Sequence, residues 1–141
     1  MKRIMLRRLG LLGRDKKGVS AVEFALIAPV FILLIVGIAQ MGRLFYAHAG
    51  LRNAVAEGAR FATIDPRPTA AQIIAQINAN KATLDPTKFT TPTVTFTQDA
   101  TSLDWFADIG MSYQITLDFI FYQYGPVTLS YSRRTWVQAP R

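Results

Sequence analysis

Apolar residues run from Val19 to Ala39 with only Ser20 and Glu23 appreciably polar among them, and from Ala25 to Ala39 no side chain is charged. As an α-helix at about 1.5 Å per residue such a stretch covers roughly 30 Å, the thickness of a bilayer's hydrocarbon core. The pattern predicts one transmembrane helix over residues 19–40. Beyond it the helical pattern persists. Residues 41–63 contain no proline, and Leu44, Leu51, Val55, Gly58 and Ala62 recur at helical spacing among many small residues. The small residues, Gly42, Ala47, Ala49, Gly50, Ala54, Ala56, Gly58 and Ala59, invite close approach by another backbone.

Asp65-Pro66-Arg67-Pro68 ends this helix, and Thr69 precedes a short amphipathic helix with Ile73, Ile74 and Ile77 on one face. After Asp85-Pro86 the pattern changes to alternation. Thr93 to Thr97 reads as a strand. Tyr113, Ile115, Leu117, Phe119 and Phe121 fall on one face of a second, opposite Ser112, Gln114, Thr116 and Asp118. Gly125-Pro126 is expected to turn the chain into a third strand in which Val127, Leu129 and Tyr131 alternate with polar residues. An antiparallel sheet of at least three strands needs a cover for its apolar face, and the outer half of the long helix and the Ile73 helix are the covers at hand. The fold class is α+β.

Charge supplies an orientation. Residues 1–18 hold seven basic side chains (Lys2, Arg3, Arg7, Arg8, Arg14, Lys16, Lys17) against Asp15. That accounts for six of the seven net positive charges and leaves nine basic and eight acidic side chains in the remainder. By the positive-inside rule this end is a basic cytoplasmic leader and residues 41–141 form an extracytoplasmic domain. The high basicity is therefore a topology signal, and no nucleic-acid partner is expected. Two residues of the apolar stretch stand out. Glu23 is a carboxylate near one end of the span, where burial costs less than the roughly 2.5–3.5 kcal/mol charged by insertion scales at mid-bilayer. It reads either as a paired charge or as a solvated interfacial one. Pro29 deprives the helix of the bond to the Ala25 carbonyl, either as a tolerated kink or as a hinge.

Catalytic chemistry finds little support. The chain has no cysteine, which removes thiol nucleophiles, thiolate metal sites and disulfides. Its one histidine, His48, has no acid or nucleophile motif around it. Asp99, Asp104 and Asp108 lack the dense spacing of a calcium loop and are expected to form a solvated acidic loop. Arg133-Arg134 reads as one arginine on each face of a strand at a sheet edge or as a site for an acidic partner. No cofactor is expected. A secretory signal peptide cut after Ala47-His48-Ala49 is a rival reading, opposed by the length of the apolar stretch and by the helical pattern running through the cut.

A long N-terminal helix, half in the membrane and half on a small antiparallel sheet, resembles type IV pilins and pseudopilins. Their precursors are cut after a glycine that follows a basic leader and keep a glutamate at the fifth mature position, similar to Gly18, Val19 and Glu23 here. Ser20-Ala21-Val22-Glu23-Phe24-Ala25-Leu26-Ile27-Ala28-Pro29, Gly42-Arg43-Leu44-Phe45-Tyr46 and Glu57-Gly58-Ala59-Arg60 resemble the TadE-like family, small pseudopilins of the tight-adherence (Tad or Flp) pilus. The resemblance covers about residues 17–64. Phe24 stands where major Tad pilins tend to have tyrosine.

This resemblance implies cleavage after Gly18 by a prepilin peptidase in the bacterial inner membrane. It further implies pairing of Glu23 with the freed Val19 ammonium of a neighbour. The implied partners are sister pseudopilins, the major Flp-type pilin and the assembly platform, and the implied role is a non-enzymatic one in pilus assembly and adhesion. An unprocessed, membrane-anchored envelope-binding protein is the alternative.

Overall fold

A computed structural model describes residues 16–81 and 85–140. Helix α1 runs from Lys16 to Ala62 without interruption at Pro29. It is followed by α2 (Ala70–Ala79), a single 3-10 turn (Pro86–Lys88), and strands β1 (Thr93–Gln98), β2 (Trp105–Phe119) and β3 (Tyr122–Val137). The three strands form one antiparallel sheet in the order β1-β2-β3. This is the expected α+β architecture, a long N-terminal apolar helix followed by a small antiparallel sheet.

Contacts divide the chain into two units, Met1–Ala39 and Gln40–Arg141. In the first, the large apolar side chains of α1 lie open to the surroundings. In the second, one stripe of α1 is buried: Ala47, Leu51, Ala54, Val55, Ala59 and Ala62, with Leu44 half-covered, join Ile73 and Ile77 of α2 and Ala107, Ile109, Met111, Tyr113, Ile115 and Leu117 of β2 in a single core. Leu51, Val55, Ile73, Ile77, Ile109 and Val137 are its largest fully buried side chains. Each is worth about 1.5–3 kcal/mol relative to exposure. The small residues of α1 have a visible purpose. At Gly58 an added methyl would run into the Ile77 side chain, so the glycine lets α2 lie directly against α1.

Local chemistry sets the ends of the elements. Thr69 and Gln72 form a reciprocal capping box that starts α2, the Thr69 hydroxyl accepting from the Gln72 amide and the Gln72 side chain accepting from the Thr69 amide. Arg67, in the loop before it, stacks over Phe96 at 4.5 Å and Trp105 at 5.3 Å and donates to the Gln138 carbonyl at 3.3 Å. The Asp65–Pro68 loop is thereby fastened to the end of the sheet where β2 begins and β3 ends.

Two strand expectations are corrected. The β2–β3 hairpin turns at Ile120 and Phe121, so Phe121 is a tip residue, 88% exposed, and not a member of the buried row. Gly125 and Pro126 lie inside β3. Ile115 pairs with Val127 and Leu117 with Tyr124, leaving Gly125 and Pro126 together opposite Thr116 as a bulge. Gly125 has φ of 128°, and a Cβ there would stand 2.9 Å from the Val127 nitrogen and 3.0 Å from the Ile115 oxygen. Glycine and proline together signalled a break in the ladder; the long β3 on both sides turns that break into a bulge instead of a turn. β2 also begins earlier than expected, at Trp105, which places Asp108 in a strand and not in a loop.

Substituting Gly58→Ala should lower stability by about 1–3 kcal/mol, the cost of overpacking a close contact. Combining it with Ile77→Ala should cost less than the two single changes added, because the truncated isoleucine makes room for the methyl. Denaturant unfolding of the detergent-solubilised chain, followed by Trp105 and Trp136 fluorescence, measures both.

Candidate processing and assembly segment

Gly18, Val19, Glu23 and Pro29 all lie on α1. Val19 is 60% exposed, and Glu23, one helical turn further along, is exposed as well. Four residues apart, they lie on the same side of the helix, about 6 Å along its axis. Glu23 makes no ion pair among the described residues. With Gly18 and Val19 joined, the Val19 nitrogen is an amide; cleavage between them would place an ammonium within a turn of the carboxylate. Residues 1–15 of the basic leader lie outside the described residues.

From Val19 to Ile38 twelve large apolar side chains are exposed: the window of α1 that is apolar enough to cross a membrane has none of its residues buried. A core helix of this composition would be covered, so the single N-terminal helix fits a single-pass membrane protein. Its backbone sits in a helix, the arrangement hydrocarbon demands, with Pro29 the one residue of the stretch that has no amide to donate.

Where the apolar run ends, a polar cluster begins that the residue pattern gave no means of assembling. Gln40 is buried, 7% exposed; its side-chain amide donates to the Asp118 carbonyl, while its oxygen accepts from Arg43 at 3.0 Å. Arg43 in turn lies 3.8 Å from the Asp118 carboxylate. These contacts tie the first turn of α1 beyond Ala39 to the end of β2. Gln40 was legible only as the first polar residue after the apolar run, and Asp118 only as a member of a polar strand face.

The other candidate residues do not converge. Asp99 shapes the β1–β2 loop: its carboxylate accepts from the Thr101 amide at 2.8 Å and the Ser102 amide at 2.9 Å, and these bonds, Ser102 first, hold its pKa below the ordinary aspartate range. Asp108 is gripped by Arg134 through two bonds of 2.7 and 2.9 Å and accepts from Thr97 at 3.3 Å. The Arg134 bonds are the main reason its pKa is lowered, and they raise that of Arg134. Asp108, expected beside Asp99 and Asp104, is thus committed to a cross-strand ion pair. Among the described residues no group of three His, Asp or Glu side chains could hold a metal. His48 is half-buried on α1. Arg133 and Arg134 take opposite faces of β3, as the alternation requires, Arg134 toward Asp108 and Arg133 opposite Ile109.

Residues 18–60 match the family model described as TadE-like protein. The chain carries a TadE-like segment. It begins at Gly18 and ends two residues before α1 does, so it comprises the apolar stretch and the buried stripe as far as Ala59 but not the sheet. Within it Gly58 admits α2, Arg43 ties to β2, and Glu57 pairs with Arg60 at 3.0 Å. The TadE-like match supports involvement in the Tad pilus system, whose TadE-like members are pilus components and not an enzyme family. No curated protein and no solved structure matched the chain in the same comparisons.

Gln40→Ala would leave the Asp118 carbonyl without its donor and should destabilise the domain by about 1–3 kcal/mol in a denaturant titration. The lowered pKa of Asp108 means that the ionised form favours the folded state. Its contribution is therefore complete above the unfolded-state aspartate pKa of about 3.9 and disappears as pH falls through the lower folded value. Asp108→Asn should flatten the acid limb of the stability-versus-pH curve and leave its neutral plateau only slightly lower.

Proposed function

We propose that this chain is a bitopic minor pilin of the TadE type that supports assembly of a Tad-type pilus. Its N-terminus is cytoplasmic and its domain extracytoplasmic, in the bacterial inner membrane. The observation that carries this reading is the coincidence of the TadE-like segment with a helix left wholly uncovered over the same apolar residues. Such a helix has two ways to satisfy its surface: lipid before assembly, and other helices of its kind afterwards. Among the described residues no cluster of His, Asp and Glu competes for the role.

In this reading a prepilin peptidase cuts between Gly18 and Val19, which removes the basic leader that holds the chain to the cytoplasmic face. The new Val19 ammonium and the Glu23 carboxylate then compensate one another between neighbouring chains. Each is costly alone in a low dielectric, so packing that brings the ammonium of one chain level with the carboxylate of the next is favoured. The partners are the peptidase, sister pseudopilins, the major pilin and the assembly platform. Secretory cleavage after Ala49 is disfavoured by the core itself, since a product starting at Gly50 would lack Gln40 and the buried Ala47.

The test is the intact mass and N-terminal sequence of the protein taken from membranes of a host with its own peptidase. Val19 as first residue is the expected result. An intact Met1 would overturn processing and favour the unprocessed envelope-binding anchor. In the processed protein, Glu23→Ala should leave membrane insertion unchanged while reducing incorporation or pilus yield at least several-fold, scored by immunoblot of sheared pili. Pili assembled at the normal level would sink the charge pairing.

A further inference from the structure

The β2–β3 hairpin ends in a cluster that the core does not use. Ile120 is 52% exposed, Phe121 88%, Tyr122 65% and Tyr124 56%. A soluble domain gains nothing by displaying four large apolar and aromatic side chains on one tip. Their position explains them. Asp118, two residues before the tip, is held by Gln40 and Arg43, the first residues of α1 after the apolar run. The hairpin tip is therefore fixed at the height along α1 where a membrane-spanning helix leaves the hydrocarbon.

The order of side chains fits that height. Ile120 and Phe121 form the apex, Tyr122 and Tyr124 stand behind them, and the Asp118–Arg43 pair follows. This passes from apolar through amphipathic aromatic to charged, as a bilayer does from acyl chains to headgroups, and tyrosine is enriched at that boundary. On α1 itself Met41, Phe45 and Tyr46 are also exposed, at 46%, 70% and 57%, within two turns of Gln40. Helix and hairpin thus present apolar and aromatic groups at one level.

We propose that the β2–β3 hairpin tip, with Ile120 and Phe121 at its apex and Tyr122 and Tyr124 behind, is a second membrane contact that inserts into the outer interface of the bilayer crossed by α1. It rests on the single-pass reading of α1 and is independent of the pilus role. Anchored at two points, the domain has less freedom to swing about residue 40, and it is the hairpin end of the sheet that meets the membrane surface.

The lack of native cysteine makes the test direct. Phe121→Cys, Leu34→Cys and Thr101→Cys are each spin-labelled in the full chain, reconstituted at one copy per nanodisc of phosphatidylethanolamine and phosphatidylglycerol. Accessibility to oxygen and to a water-soluble nickel chelate is then read by electron paramagnetic resonance. Position 121 is largely exposed, so its replacement leaves the core intact, and Tyr122→Cys serves as a second tip position. The expected result is nickel accessibility at 121 and 122 several-fold below that at Thr101, with raised oxygen accessibility. Tip labels as open to nickel as Thr101, while Leu34 reports lipid, would overturn the contact and leave the span standing. A Leu34 label open to nickel would overturn both. Shielding that arises only with several copies per disc would also overturn the proposal, in favour of protein docking on the tip.

Discussion

A helix apolar enough to cross a membrane keeps its backbone satisfied by staying a helix, and α1 meets that requirement from Lys16 to Ala62. Because α1 continues unbroken from Lys16 to Ala62, the second unit begins on a helix that the apolar segment has already started. The domain needs no helix nucleation of its own there. What it adds is cover: one stripe of α1 outside the apolar segment is buried with α2 and β2, and the composition changes from Leu, Ile and Phe to alanine and glycine where backbones must approach. The same helix therefore carries two sequence styles, bulky and uncovered below Gln40, small and packed above it.

Most of this was legible because periodicity reports burial. The end of the apolar run, the stripe through Leu51 and Val55, the Ile73–Ile77 face and the alternation around Ile115 all reflect an environment that repeats at the helical or strand period. Thr69 was legible as the residue before the short helix, while its capping box with Gln72 came from the structure. The failures came where one residue's meaning depends on a distant partner. Asp108 looks like a loop acid until Arg134, 26 positions away, is paired across the ladder. Gly125-Pro126 marks an interruption, but whether the interruption turns the strand or bulges it depends on how far the partner strand continues. Gln40 and Asp118 are 78 positions apart, and no local pattern connects them. Among the functional candidates, Gly18, Val19 and Glu23 could be named from the sequence because their order is linear, and the pairing proposed for Glu23 is a property of an assembly and not of one chain.

Without disulfides, the described part of the domain is held by its core and by side chains that close its loops. Its core is drawn from both helices and all three strands, counting the half-buried Val94 and Phe96 of β1 and Leu129 and Tyr131 of β3. Its loops are closed by side chains: Arg67 over two aromatic rings, Asp99 across its own turn, and Asp85 at the start of the 3-10 turn, where it accepts from Thr87. Each is a short-range device of modest strength, and together they spare the protein any dependence on an oxidising compartment.

The bulge in β3 has a consequence for crowding. β3 is an outer strand, and a long outer strand is a template onto which another copy can add its own backbone. Here Pro126 offers no amide and Gly125 bends the ladder out of register beside it, so the row of donors and acceptors is broken near the hairpin tip and regular only from Val127 to Val137. A strand added along β3 from another copy would therefore lose its register at the tip end of the hairpin.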